Sequence, residues 1–113
     1  MGEALNKARL AHEAAPALAA ADSATRSTAL LAAAAALEAA CPQVLAANAA
    51  DMARAKANDM PAPLQDRLFL DEARVSSIAS AMREVASQPD PLGQDLGGCT
   101  HPSGVRLQKE SVP

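Results

Sequence analysis

Tryptophan and tyrosine are absent from this 113-residue chain, and phenylalanine occurs once. No large ring is therefore available to anchor a core or to stack on a base. Leu, Ile, Val and Phe together supply only about a fifth of the residues, close to the level of about 20% below which chains tend toward disorder. Alanine fills 30 positions, so the 50% apolar composition overstates the surface the chain can bury. Two cysteines are too few for a disulfide framework. The longest apolar run, Ala29–Leu37, is nine residues, against the roughly 20 needed to cross a bilayer. Ten basic and thirteen acidic side chains are well mixed, so no basic stripe argues for nucleic acid. "MGEALNKARLAHEAAPALAAADS" lacks a basic region followed by a continuous apolar core, and Asn6 stands where myristoylation of Gly2 would need Ser or Thr. The expectation is at most one small cytoplasmic domain, with no membrane and no nucleic-acid partner.

What is present is helical periodicity. A first helix is expected from about Glu3 to Ala20, with Leu10, Ala14, Ala17 and Leu18 on one side and Pro16 as a kink or break. Asp22 or Ser23 can cap a second helix, Ala24 to Ala40, in which Leu30, Leu31, Ala34 and Leu37 recur at helical spacing. Five consecutive alanines, Ala32–Ala36, favour that helix strongly. Pro42 opens a third, which runs to about Asn58 and is ended by the prolines of "NDMPAP". "LQDRLFL" reads as a short helical turn or compact loop. Asp71 can cap a last helix whose apolar positions are Val75, Ile78, Ala79, Met82, Val85 and Ala86.

"SQPDPLGQDLGG" then ends the helical pattern, and the period changes to two. Cys99 and His101 lead into the turn "PSG", after which Val105 and Leu107 alternate with Arg106, Gln108 and Glu110. The fold class is mainly α with a C-terminal β-hairpin: a helical segment over residues 1–98 and a hairpin over 99–113. A lone hairpin is marginal in water, and "SVP" reads as interrupted strand, so the chain reads as the opening of a larger protein.

Several residues could carry chemistry. Cys99 and His101 share a strand face, which does not ensure contact, and two ligands are too few for zinc. Cys41 precedes Pro42 at a helix start, where a thiol can be activated, but no basic neighbour stands beside it. His12 beside Glu13 fits a solvated face. Asp66, Arg67, Asp71 and Arg74 suggest an ion-pair network tying a loop to the last helix. Asn48 is the polar exception on an apolar face with Leu45, Met52 and Ala55, and if buried it needs partners. Gly93, Gly97, Gly98 and Gly104 precede or turn strands, whereas a dinucleotide loop follows a strand and opens a helix.

The stretches "LAANAADMARAKANDMPAPLQDRLFLDEARVSSIASAMREVASQPDP", "GGCTHPSGVRL" and "QKESVP" resemble the amino-terminal region of gamma-glutamyl phosphate reductases. The most specific pieces are Asn48 with Asp51, Asp66-Arg67-Leu68 with Arg74 and Ile78, and Asp90-Pro91 with Gly93. The resemblance implies part of an α/β enzyme of the aldehyde dehydrogenase superfamily, with a Rossmann-type nucleotide-binding domain. Such enzymes reduce gamma-glutamyl phosphate to glutamate 5-semialdehyde in proline biosynthesis, using NADPH and a cysteine thioacyl intermediate. It implies a homo-oligomer as the whole protein. It also implies that the nucleophilic cysteine lies beyond this chain and is not Cys99. No catalytic, cofactor-binding or metal residue is expected here, NADPH is not expected to bind, and the chain alone is expected to be inactive.

A non-catalytic helical module that binds a protein partner along its alanine-rich faces is the alternative. A redox protein using Cys41 and Cys99 is a third reading and predicts a reversible disulfide.

Overall fold

A computed structural model describes residues 2–112. Met1 and Pro113 lie outside the described residues, and with Pro113 the end of the "SVP" reading. Five helices precede a two-stranded antiparallel sheet: α1 Gly2–Ala20, α2 Ser23–Ala39, α3 Cys41–Ala57, α4 Ala62–Leu68, α5 Glu72–Ser87, then β1 Asp95–Thr100 and β2 Arg106–Glu110. The chain divides into two units, Ser27–Ser87 and the flanking segments Met1–Arg26 with Gln88–Pro113.

Within Ser27–Ser87 the helices pack on very little. Ala34, Ala55, Val75 and Ala79 are the buried apolar residues among those described. Three of the four are alanines, which let helix axes approach closely but remove little area from water. Polar bonds supplement this thin core. Glu38 of α2 and Arg83 of α5 form a two-pronged pair at 2.8 and 2.6 Å. That contact holds the Glu38 carboxyl below its ordinary pKa and raises that of Arg83. Ser27 Oγ donates to the Ala86 carbonyl at 3.3 Å.

Helix boundaries follow local chemistry. Asp22 caps α2, its Oδ1 accepting the Thr25 amide at 2.7 Å, and Asp71 caps α5 by accepting the Arg74 amide at 2.7 Å. Pro42 falls one residue inside α3, which starts at Cys41. The end of α3 is set by Asp59, not by the prolines. Asp59 adopts φ 52°, and the Met60 amide returns to the Ala55 carbonyl at 3.0 Å while the Asp59 amide reaches Lys56 at 3.2 Å. This Schellman arrangement usually carries glycine at the left-handed position. Here aspartate fills it, so no glycine marked the stop. Pro61 and Pro63 instead bracket the start of α4, where a missing N–H costs nothing.

In the other unit, α1 is assigned as one helix through Pro16, so the break expected there does not occur. The proline deletes one internal hydrogen bond, and the helix buries no residue, so the freed carbonyl can be met by water. For the same reason the expected apolar side of α1 encloses nothing: Leu10 is 56% exposed and Leu18 48%. The hairpin also begins earlier than Cys99. β1 starts at Asp95, opposite Glu110, and its register shifts between Asp95 and Gly98. Gly97 and Gly98 carry no side chains, so no alternation was visible across those positions.

Candidate functional site

The best-built polar arrangement lies where α4 turns into α5. α3 presents Asn48, 6% exposed, to the backbone of that turn. Its amide nitrogen donates to the Leu68 carbonyl at 2.8 Å, and its oxygen accepts the Leu70 amide at 2.9 Å. Both functional ends of the side chain are thereby used, one on the terminal carbonyl of α4 and one on an amide in the α4–α5 connection. The carboxamide acts as a short strand would, reading one residue's C=O and its second neighbour's N–H.

On the outer side of the same turn, Arg74 gathers several acceptors. Its Nη1 donates to the carbonyls of Asp66 and, at 2.9 Å, Phe69, and its Nη2 donates to the Asp66 carboxylate at 2.9 Å. The guanidinium also lies 5.3 Å from the centre of the Phe69 ring, within cation–π range. The network read from the sequence thus holds Asp66 and Arg74, with Asp71 as helix cap. Arg67 joins neither bond among the described residues. These groups are spent on one another and on backbone, an arrangement suited to holding a corner.

The hairpin pair resolves differently. Cys99 is exposed and opposite Leu107. The His101 Nδ1 faces Ser103 Oγ at 2.8 Å and the Ser103 amide at 3.2 Å, while the His101 amide donates to the Val105 carbonyl at 2.7 Å. His101 therefore closes its own turn and is not aimed at Cys99. Cys41, half-buried, edges a shallow 420 Å³ groove with Glu38, Pro42, Leu45, Glu72 and Val75. Glu38 is already engaged with Arg83. His12 lies on exposed α1.

Gly93, Gly97 and Gly104 adopt positive φ in and around the hairpin, and Gly98 sits against Leu107 across the ladder. None opens a helix, so these glycines do not form the strand–turn–helix loop that cradles a dinucleotide phosphate. No cluster of three or more metal-ligating side chains occurs among them. No single helix there is long and apolar enough to cross a membrane. α2 and α3, bent by 65° at their junction, meet that measure only when taken together.

No protein-family model matches the chain. It is 45% identical over 103 residues to a gamma-glutamyl phosphate reductase from Rhizorhabdus wittichii, covering 91% of this chain and 24% of that protein. Against the reductase of Kineococcus radiotolerans it is 47% identical over 90 residues, covering 80% of this chain and 21% of the relative. The crystal structure of gamma-glutamyl phosphate reductase from Thermotoga maritima matches 96% of this chain and 26% of its own, with a TM-score of 0.85 and 28% identity. The chain thus spans about a quarter of the length of the proteins it matches, and the resemblance carried by its motifs extends to the backbone.

Proposed function

We propose, on the premise that the chain is homologous to a section of gamma-glutamyl phosphate reductase, that it is the helical opening of such an enzyme. The whole protein would reduce gamma-glutamyl phosphate to glutamate 5-semialdehyde in proline biosynthesis. In such an enzyme a cysteine thiolate outside this chain would displace phosphate from the acyl carbon to give a thioester. NADPH, held elsewhere in the protein, would supply the hydride, after which the aldehyde leaves and the thiolate is regenerated. The role of this section is packing. It covers the domain that carries those groups, and by itself it does not catalyse.

The similarity over 91% of the chain carries this reading, and the character of its surface supports it. Leu5, Leu31, Ile78, Val85, Leu96, Leu107 and Val112 are all exposed, large apolar side chains that a neighbouring part of the protein could cover. Such side chains on both helices and hairpin suit a section that docks on the rest of a larger enzyme.

The test is the native gene product, purified with an antibody raised against the Asp71–Pro91 segment. A product several times heavier than 11.5 kDa that forms NADPH from NADP, glutamate 5-semialdehyde and phosphate would support the reading. A product of 11.5 kDa with no such activity in its company would overturn it and favour the partner-binding module.

A further inference from the structure

Arg26 occupies the first turn of α2, where a positive charge opposes the partial positive charge of the helix start. That local conflict has a tertiary resolution. The guanidinium turns back to the end of α1, where Nη1 donates to the carbonyls of Ala21 and, at 3.3 Å, Leu18. These are acceptors at the negative end of a helix, the favoured place for a cation. Nη2 meanwhile pairs with the carboxylate of Asp90, 64 residues away in sequence.

Asp90 passes the connection on to the hairpin. Its second oxygen accepts the Leu92 amide at 3.0 Å, and its carbonyl accepts the Gln94 side chain at 2.8 Å. Gly93 and Gln94 are in turn bonded to Ser111: Gly93 N–H to the Ser111 carbonyl at 3.2 Å, Gln94 N–H to Ser111 Oγ at 2.8 Å, and Ser111 N–H to the Gln94 carbonyl at 3.0 Å. Ser111 Oγ itself donates to the Pro91 carbonyl. A continuous set of polar bonds thus runs from the end of α1 to the base of both hairpin strands. The Arg26 and Asp90 side chains are only 22% and 23% exposed, so the pair is less screened than the chain's open surface pairs.

We propose that Arg26 is a positioning residue, a latch that fixes the base of the β1–β2 hairpin to the α1–α2 corner through Asp90. Among the described residues the hairpin has no third strand, and an isolated one is marginal, so this anchor bears directly on its persistence in the chain. The inference stands whether or not the reductase reading holds.

Amide hydrogen exchange on the full chain tests it, comparing the unaltered protein with Arg26→Gln, Asp90→Asn and the double variant. Each single substitution is expected to speed exchange at Gly93, Gln94 and Ser111 about tenfold, the loss of one charge-assisted bond. Amides of Val75 and Ala79 should keep their rates. The double variant should exchange no faster than either single one, because both remove the same bond. Unchanged hairpin rates, a rise shared equally by α3 and α5, or additive effects in the double variant would each overturn the latch. So would hairpin amides that are unprotected in the unaltered chain.

Discussion

Asn48 accepts the amide hydrogen of Leu70 at 2.9 Å while its own amide nitrogen serves the Leu68 carbonyl. One side chain on α3 thereby satisfies both polar groups that the α4–α5 turn would otherwise leave against the protein interior. Replacing it with leucine keeps the branched shape but removes the side-chain donor and acceptor that serve Leu68 and Leu70. The expected loss is about 2 to 6 kcal/mol, at 1 to 3 for each of the two groups left unmet, read as a lower urea midpoint. Asn48→Asp is the sharper test. Its carboxylate would face the Leu68 carbonyl at neutral pH, and part of the lost stability should return on acidification as a protonated oxygen becomes able to donate.

The cap at Asp71 is separable from that corner. Its Oδ1 takes the Arg74 amide, so Asp71→Ala should cost about 1 kcal/mol, and Asp71→Ser or Asp71→Asn should recover most of it. A loss as large as that of Asn48→Leu would mean that Asp71 does more than cap.

Across the hairpin, a Cβ on Gly98 would overlap the Leu107 carbonyl oxygen of the partner strand. Backbone cannot yield as a flexible side chain does. Gly98→Ala is therefore expected to remove amide protection from β1 and β2 while leaving Ser27–Ser87 intact. A substitution at Gly104 meets open space but requires φ +88°, a conformation unfavourable to any residue with a Cβ, and should weaken the same strands by strain.

The pair between Glu38 and Arg83 makes one contribution depend on pH. The hydrogen bond from Arg83 holds the Glu38 carboxyl below its ordinary pKa. A carboxyl depressed in the folded state stabilises fully above its unfolded value, about 4.3. That contribution is lost as pH falls through the lower folded value. Arg83→Gln should therefore lower stability near neutral pH and flatten the acid limb of a far-UV circular dichroism titration. An acid limb identical to that of the unaltered chain would show that the pair adds nothing measurable, as many exposed pairs do.

Much of the fold was legible because its signals are local. Asp22 and Asp71 cap where their side chains stand before apolar periodicity, and Asn48 was marked by being polar on an apolar face. Other features had no local signal. The Schellman stop at Asp59 lacks glycine, and β1 was hidden by Gly97 and Gly98. The two pairs that link distant elements, Glu38–Arg83 and Arg26–Asp90, join residues 45 and 64 positions apart. Only the placement of Arg26 against its own helix dipole hinted that it has an external partner.

By itself the sequence determined the helical class, the terminal hairpin, the poverty of the core and the family resemblance, since each rests on composition, period or the order of short motifs. Tertiary structure decided which groups those elements spend on each other. It turned His101 toward Ser103 instead of Cys99, set Arg74 over Phe69, and left α1 with no buried face. Side-chain direction and burial depend on where the chain folds back upon itself, and hydrogen-bond geometry exists only once two distant segments have met.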